Sequence, residues 1–105
     1  MATASEYLEQ ALRLGQEELL ALRNGDVDTA TDIADRRGHL TSLAWNAPNT
    51  NPQTFKEALL RLQALQTTLT TEATRLKESI RAGLVHSRME SRRMAGYRQA
   101  VGHAL

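Results

Sequence analysis

TFKEALLRLQALQTTLTTEATRLKESIRAGLVHSRMESRRMAGYRQAVGHAL, residues 54–105, holds no proline and carries one helical pattern from end to end. Phe55, Leu59, Leu62, Gln66, Leu69, Ala73, Leu76, Ile80, Gly83 and Ser87 follow one another at alternating four- and three-residue steps. Read as a single helix over about 54–103, the segment reaches roughly 75 Å at 1.5 Å per residue. No other segment exceeds about twenty residues, so the rest of the chain cannot cover that length.

The large apolar residues on this seam stop at Ile80. HSRMESRR, residues 86–93, is almost wholly polar, and Met94, Tyr97, Val101 and Leu105 then return at helical spacing. Burying the few large apolar side chains beyond His86 stabilises by roughly 2 kcal/mol each. Ordering some twenty residues costs on the order of 1–1.5 kcal/mol apiece. The distal part after position 86 is therefore expected to be flexible, or ordered only when something packs on it.

Two shorter helices precede this stretch. Thr3-Ala4-Ser5-Glu6 has capping-box spacing and opens a first helix over about 4–24. Leu8, Leu12, Gly15, Leu19 and Leu22 form its seam, widened by Ala11, Leu14 and Leu20. Gly15 on that seam permits a neighbouring backbone to approach closely, at about 1 kcal/mol of helix propensity relative to alanine. Asn24-Gly25 ends the helix, and Asp26 or Asp28 caps a second one over about 28–45. Its stripe is Ala30, Ile33, Ala34, Leu40, Leu43 and Ala44, interrupted by Arg36 and Arg37. Arg37 reads either as a snorkelling side chain or as an inward charge paired with Glu17 or Glu18. Trp45 is expected to plug the open end of this hairpin. Pro48 and Pro52 confine residues 46–53 to a loop. A second capping box, Thr54 to Glu57, is expected to open the third helix. The fold class is thus all-α: a three-helix antiparallel bundle, with a short N-terminal hairpin on one long C-terminal helix, in a single domain over 1–105.

With 105 residues and no cysteine, the chain can hold neither a disulfide framework nor a thiolate metal site. MATASEYLEQ lacks the basic and apolar regions of a signal peptide, and no apolar run is long enough to span a bilayer. A soluble cytoplasmic protein without membrane insertion is the expectation. The net charge of +1 hides an acidic first half and a basic second half, with Lys77, Arg81, Arg88, Arg92, Arg93 and Arg98 beyond Leu76. Such an asymmetry fits facing helices whose charges pair, or a basic tip offered to an acidic partner.

Little in the sequence points to catalysis. Asp35–His39 and His86–Glu90 have the i, i+4 spacing of a two-ligand metal pair, but a stable site needs more ligands and a supporting shell. A phosphate loop, a nucleophile triad and a carboxylate pair are all missing, so neither an enzyme nor a cofactor is expected. The run Arg88–Arg93 reads as a solvated face, as a contact for an acidic protein, or least readily as a nucleic-acid patch. Met89, Met94, Tyr97 and Val101 divide between core and partner surface, methionine being well suited to varied partner helices.

LLALRNGDVDTATDIADRRGHLTSLAW, residues 19–45, resembles the hairpin of the flagellar type III export chaperones of the FliT and FlgN type. Leu19, Leu22, Gly25, Asp26, Ile33, Arg36 or Arg37, Leu40 and Leu43 carry the likeness, and a long third helix with a tyrosine near its end, here Tyr97, is similar to that family as well. The resemblance implies a small cytoplasmic helical chaperone. Such a protein binds the C-terminal helical segment of a filament-cap or hook–filament junction protein, prevents premature assembly and delivers it for export. On this reading Leu84, Met89, Met94, Tyr97 and Val101 supply apolar contacts, while Arg88, Arg92 and Arg93 steer an acidic partner. The rival expectation is a homodimer in which two long helices bury each other's distal halves.

Overall fold

The computed structural model describes residues 2–48, 51–83 and 88–102, with the side chains of the last stretch described from Arg93 onward. The described residues form four α-helices and no strand: α1 (Ala4–Arg23), α2 (Val27–Asn46), α3 (Pro52–Arg81) and α4 (Arg88–Gly102).

The first two helices begin and end for the reasons visible in their residues. Thr3 caps α1 through a complete capping box, its hydroxyl accepting from the Glu6 N–H while the Glu6 carboxylate accepts from the Thr3 N–H. At the far end Gly25 takes φ 73°, the left-handed conformation that costs glycine little. The Gly25 N–H donates to the Leu22 carbonyl and the Asp26 N–H to that of Ala21, closing a Schellman motif. Asp26 then caps α2, accepting from the Thr29 N–H at 3.2 Å. Thr29, through its side chain and then its N–H, holds the Asp26 carboxylate below its ordinary range. Asn51, rather than Thr54, caps α3: its side chain accepts from the N–H groups of Gln53 and Thr54, with Pro52 in the first turn. The expected Thr54–Glu57 box is displaced because Pro52 already fits the start of a helix, which moves the cap three residues upstream.

The helix expected over 54–103 does not run through. α3 ends at Arg81, where Gly83 adopts φ 77° and donates its N–H to the Ile80 carbonyl. This is the same terminating device as Gly25. The chain returns along α3, and α4 packs on α2 and α3. One hairpin lying on one long helix is therefore replaced by two successive hairpins. α1 lies beside α2 and α3, and α4 lies beside the same two, so α1 and α4 occupy opposite corners. The molecule measures 49 × 19 × 17 Å, its long dimension close to that of α3 alone.

Two cores divide the interior. One joins Leu19, Leu22, Val27, Ala30, Ala34, Leu65, Leu69 and Leu76 with Met94, Tyr97 and Ala100 of α4. The other joins Leu8, Ala11, Ala44, Ala58 and Leu62, with Tyr7, Phe55 and Leu59 packed around them. The small alanines let the helices approach, and Gly15 does so most of all. A Cβ there would lie 2.3 Å from Leu65 Cδ2, so α3 rests on the α1 backbone at that point. Trp45, expected as a plug, is instead 61% exposed and meets Phe55 edge to face at 5.6 Å. The loop that crosses the base of the bundle lets Pro48 accept from the Ala4 N–H at 3.1 Å, closing the end without the indole. Leu20, counted on the first seam, is also exposed.

Along the outer surface of α3, the hydroxyls of Thr67, Thr68, Thr70, Thr71 and Thr74 each donate to the carbonyl four residues earlier. Replacing Gly15 by alanine forces Leu65 aside. The overpacking cost of about 1–3 kcal/mol exceeds the propensity gain of about 1 kcal/mol. Gly15→Ala is thus expected to lower the urea midpoint without changing the slope of the transition.

Candidate functional site

The strongest concentration of chemistry lies inside the bundle. Glu18 of α1 and Arg37 of α2 are both completely buried. Arg37 Nε donates to Glu18 Oε1 at 2.8 Å and Nη2 donates to Oε2 at 3.3 Å, a two-pronged fork. Tyr97 of α4, 1% exposed, donates its hydroxyl to the same Oε2 at 2.5 Å. The Arg37 carbonyl in turn accepts from the Thr41 hydroxyl at 3.0 Å. Burial against the Glu18 carboxylate pushes the Tyr97 phenol well above its ordinary value, so it stays protonated and donating.

This geometry decides between the two readings of Arg37. It is the inward charge, and Glu18 is its partner; Glu17 stays exposed and lines the outer face. Helical spacing accounts for the difference, since Glu18 sits with Gly15 and Leu22 on the inward stripe. The same opening at Gly15 admits the arginine stem, whose Cδ lies 3.6 Å from where a Cβ would stand. Nη1 of Arg37 and Oε1 of Gln66 are buried without a hydrogen-bond partner.

The expected partner-binding residues divide. Met94 and Tyr97 are buried in the first core and Val101 is partly buried against it, so the bundle itself supplies their contacts. The expectation that the short hairpin cannot reach them fails because Gly83 brings them to the hairpin. Arg93 pairs with Asp28 at 3.3 Å, tying α4 to the start of α2. Leu84 and the side chains of Arg88, Met89 and Arg92 lie outside the described residues. On the first two helices, Asp35 and His39 line a shallow groove of about 600 Å³ with Arg13, Leu14, Glu17 and Arg36. His86–Glu90 lies outside the description. Among the described residues no group of three or more His, Cys, Asp and Glu could hold a metal ion. None of the described helices is long and apolar enough to cross a membrane.

A second opening lies between α3 and α4, lined by Thr70, Ala73, Thr74, Lys77, Tyr97 and Val101. Two outer pairs, Arg61 with Glu9 and Arg93 with Asp28, join the acidic first half to the basic second half, while Arg23 and Arg75 meet at Glu72. Exposed pairs of this kind add little stability, so they set register more than strength. No protein-family model, curated protein or solved structure matches this chain.

Removing Arg37 leaves Glu18 charged and buried, at a cost of about 3–5 kcal/mol. Arg37→Ala should therefore destabilise the fold far more than Tyr97→Phe, which loses one hydrogen bond to a charged group, about 1.5–3 kcal/mol. Tyr97 holds its proton in the folded chain past the free-tyrosine value of 10.0. Its contribution is full below that pH and is lost as pH rises above it, at about 1.4 kcal/mol per pH unit. Denaturation from pH 9 to 11 should show this component in the native chain and its absence in Tyr97→Phe.

Proposed function

We propose that this protein is a cytoplasmic flagellar export chaperone. It binds an amphipathic helical segment from the C-terminal region of a filament-cap or hook–filament junction protein, keeps that segment from premature assembly and delivers it for export. The family likeness of residues 19–45 supports the class, and the way α4 is held supports the mode of binding. α4 presents Met94, Tyr97 and Ala100 on one face to a seat built by the other helices. A seat that takes one amphipathic helix through three or four side chains has the form of a helix-in-groove site.

Met94 and Tyr97 reach a client only when α4 leaves that seat. Val101 and the methyl-bearing wall of Thr70 and Thr74 border the opening beside it. Arg88, Arg92 and Arg93 then steer an acidic client, through charge that raises the encounter rate more than the final affinity.

Pull-down with the C-terminal segments of filament-cap and junction proteins tests the assignment. Strong enrichment of one of them is expected, weakened when Arg88, Arg92 and Arg93 are changed together to glutamine. Enrichment of neither by the folded protein rejects the chaperone reading.

A further inference from the structure

We propose that the crevice between α3 and α4 binds a small amphiphilic anion, a medium-chain fatty carboxylate, at a site separate from the seat that α4 itself fills. Two cavities lie end to end along this helix pair. One, of about 240 Å³, is lined by Lys77, Arg81 and Arg98 beside Ile80 and Met94. The other, of about 310 Å³, continues from Lys77 and Arg98 along Thr70, Ala73, Tyr97 and Val101. Each is small, and together they fall in the range of roughly 300–1,000 Å³ that small-molecule sites occupy. One end of the crevice thus carries three cations, and the other carries no charge.

That asymmetry sets the sign and the orientation of the occupant. No residue lining either cavity is acidic. Among the described residues the ion pairs lie elsewhere, on Glu9, Glu18, Asp28 and Glu72, and none reaches Lys77, Arg81 or Arg98. Lys77 and Arg81 stand one turn apart on α3, with Arg98 beside them on α4, so donors from two helices converge on one carboxylate. The uncharged end has no proton to offer an anion. The Thr70 and Thr74 hydroxyls donate to carbonyls of the preceding turn, and Tyr97 donates to Glu18, leaving its ring to the crevice wall. A carboxylate therefore lodges among the cations, and an apolar tail lies along Ala73, Tyr97 and Val101.

Shape chooses between a tail and a peptide helix. Packed helices run about 8–10 Å apart. A helix with its side chains is roughly 10–12 Å across, so it rests on the rim of such a crevice and leaves the floor unfilled. A single alkyl chain enters. From Thr70 to Lys77 the α3 axis rises about 10 Å at 1.5 Å per residue. An extended chain advances about 3.3–3.6 Å for every three bonds, so roughly eight to ten carbons span that distance.

Decanoate titrated into the methyl-labelled full chain, followed by NMR, tests the proposal. Saturable shifts are expected at the methyl groups of Thr70, Thr74 and Val101. Octanoate and then hexanoate should bind more weakly, on the order of ten-fold for each two carbons removed. Lys77→Gln with Arg98→Gln changes two side chains that are half-buried and exposed, so the fold is kept while decanoate weakens about ten-fold or more. Decanol, which has the tail without the charge, should bind at least as weakly to the native chain as decanoate binds to that double variant. Equal affinity for decanol and decanoate overturns the proposal, as does unchanged affinity in the double variant or the absence of saturable shifts at millimolar decanoate. An acidic helical peptide that moves these methyl groups where decanoate does not overturns it in favour of a protein occupant.

Discussion

The carboxylate of Glu18 in α1 fixes how α2 and α4 are set against that helix. It is fully buried, and a buried charge without partners costs several kcal/mol, so every group that satisfies it is held in place. Arg37 meets it as a fork from α2, and Tyr97 meets it as a neutral donor from α4. Three helices are thereby registered on one pair of oxygens. Apolar side chains around it, such as Leu19, Leu22 and Leu69, tolerate small slides along a neighbour; a fork and a phenol do not. The pair adds little net stability over a well-packed apolar core, and its contribution is to specify which faces meet.

How much of this was legible in the residues varies with the kind of signal. The Thr3 capping box, the Gly25 turn, the inward seam of α1 and the role of Gly15 follow from local spacing. Local spacing is a property that one helix carries by itself. The all-helical class follows for the same reason. The partner of Arg37 was narrowed to two glutamates, and the packing selected the one on the inward stripe. Gly83 was misread. Arg81-Ala82-Gly83 has the same form as Arg23-Asn24-Gly25, a basic last turn followed by glycine, and the same logic would have ended the helix there. An uninterrupted heptad phase through Gly83 and Ser87 masks that local stop signal. The link from Tyr97 to Glu18 spans 79 positions and depends on the turn, so no local pattern could carry it.

The turn also changes the meaning of the distal segment. Without it, Met94, Tyr97 and Val101 would be an uncovered stripe awaiting a partner. With it, they complete a core that the hairpin alone leaves open on one side. The bundle is consequently unequal along its length, four helices thick where α4 lies and three where Ala44, Ala58 and Leu62 form the second core. Trp45 and Phe55 cross at the thinner end, where a short loop leaves the indole in solvent.

The threonines of α3 give its surface a character that their side-chain class conceals. A hydroxyl that donates to the carbonyl of the preceding turn has used its only proton, so its oxygen can only accept further hydrogen bonds. Thr67, Thr68, Thr70, Thr71 and Thr74 all make this inward bond. Hydropathy scales count such a run as polar. To an approaching molecule it offers acceptor oxygens and methyl groups on stiff, β-branched stems, with no spare hydroxyl proton and little side-chain entropy to lose.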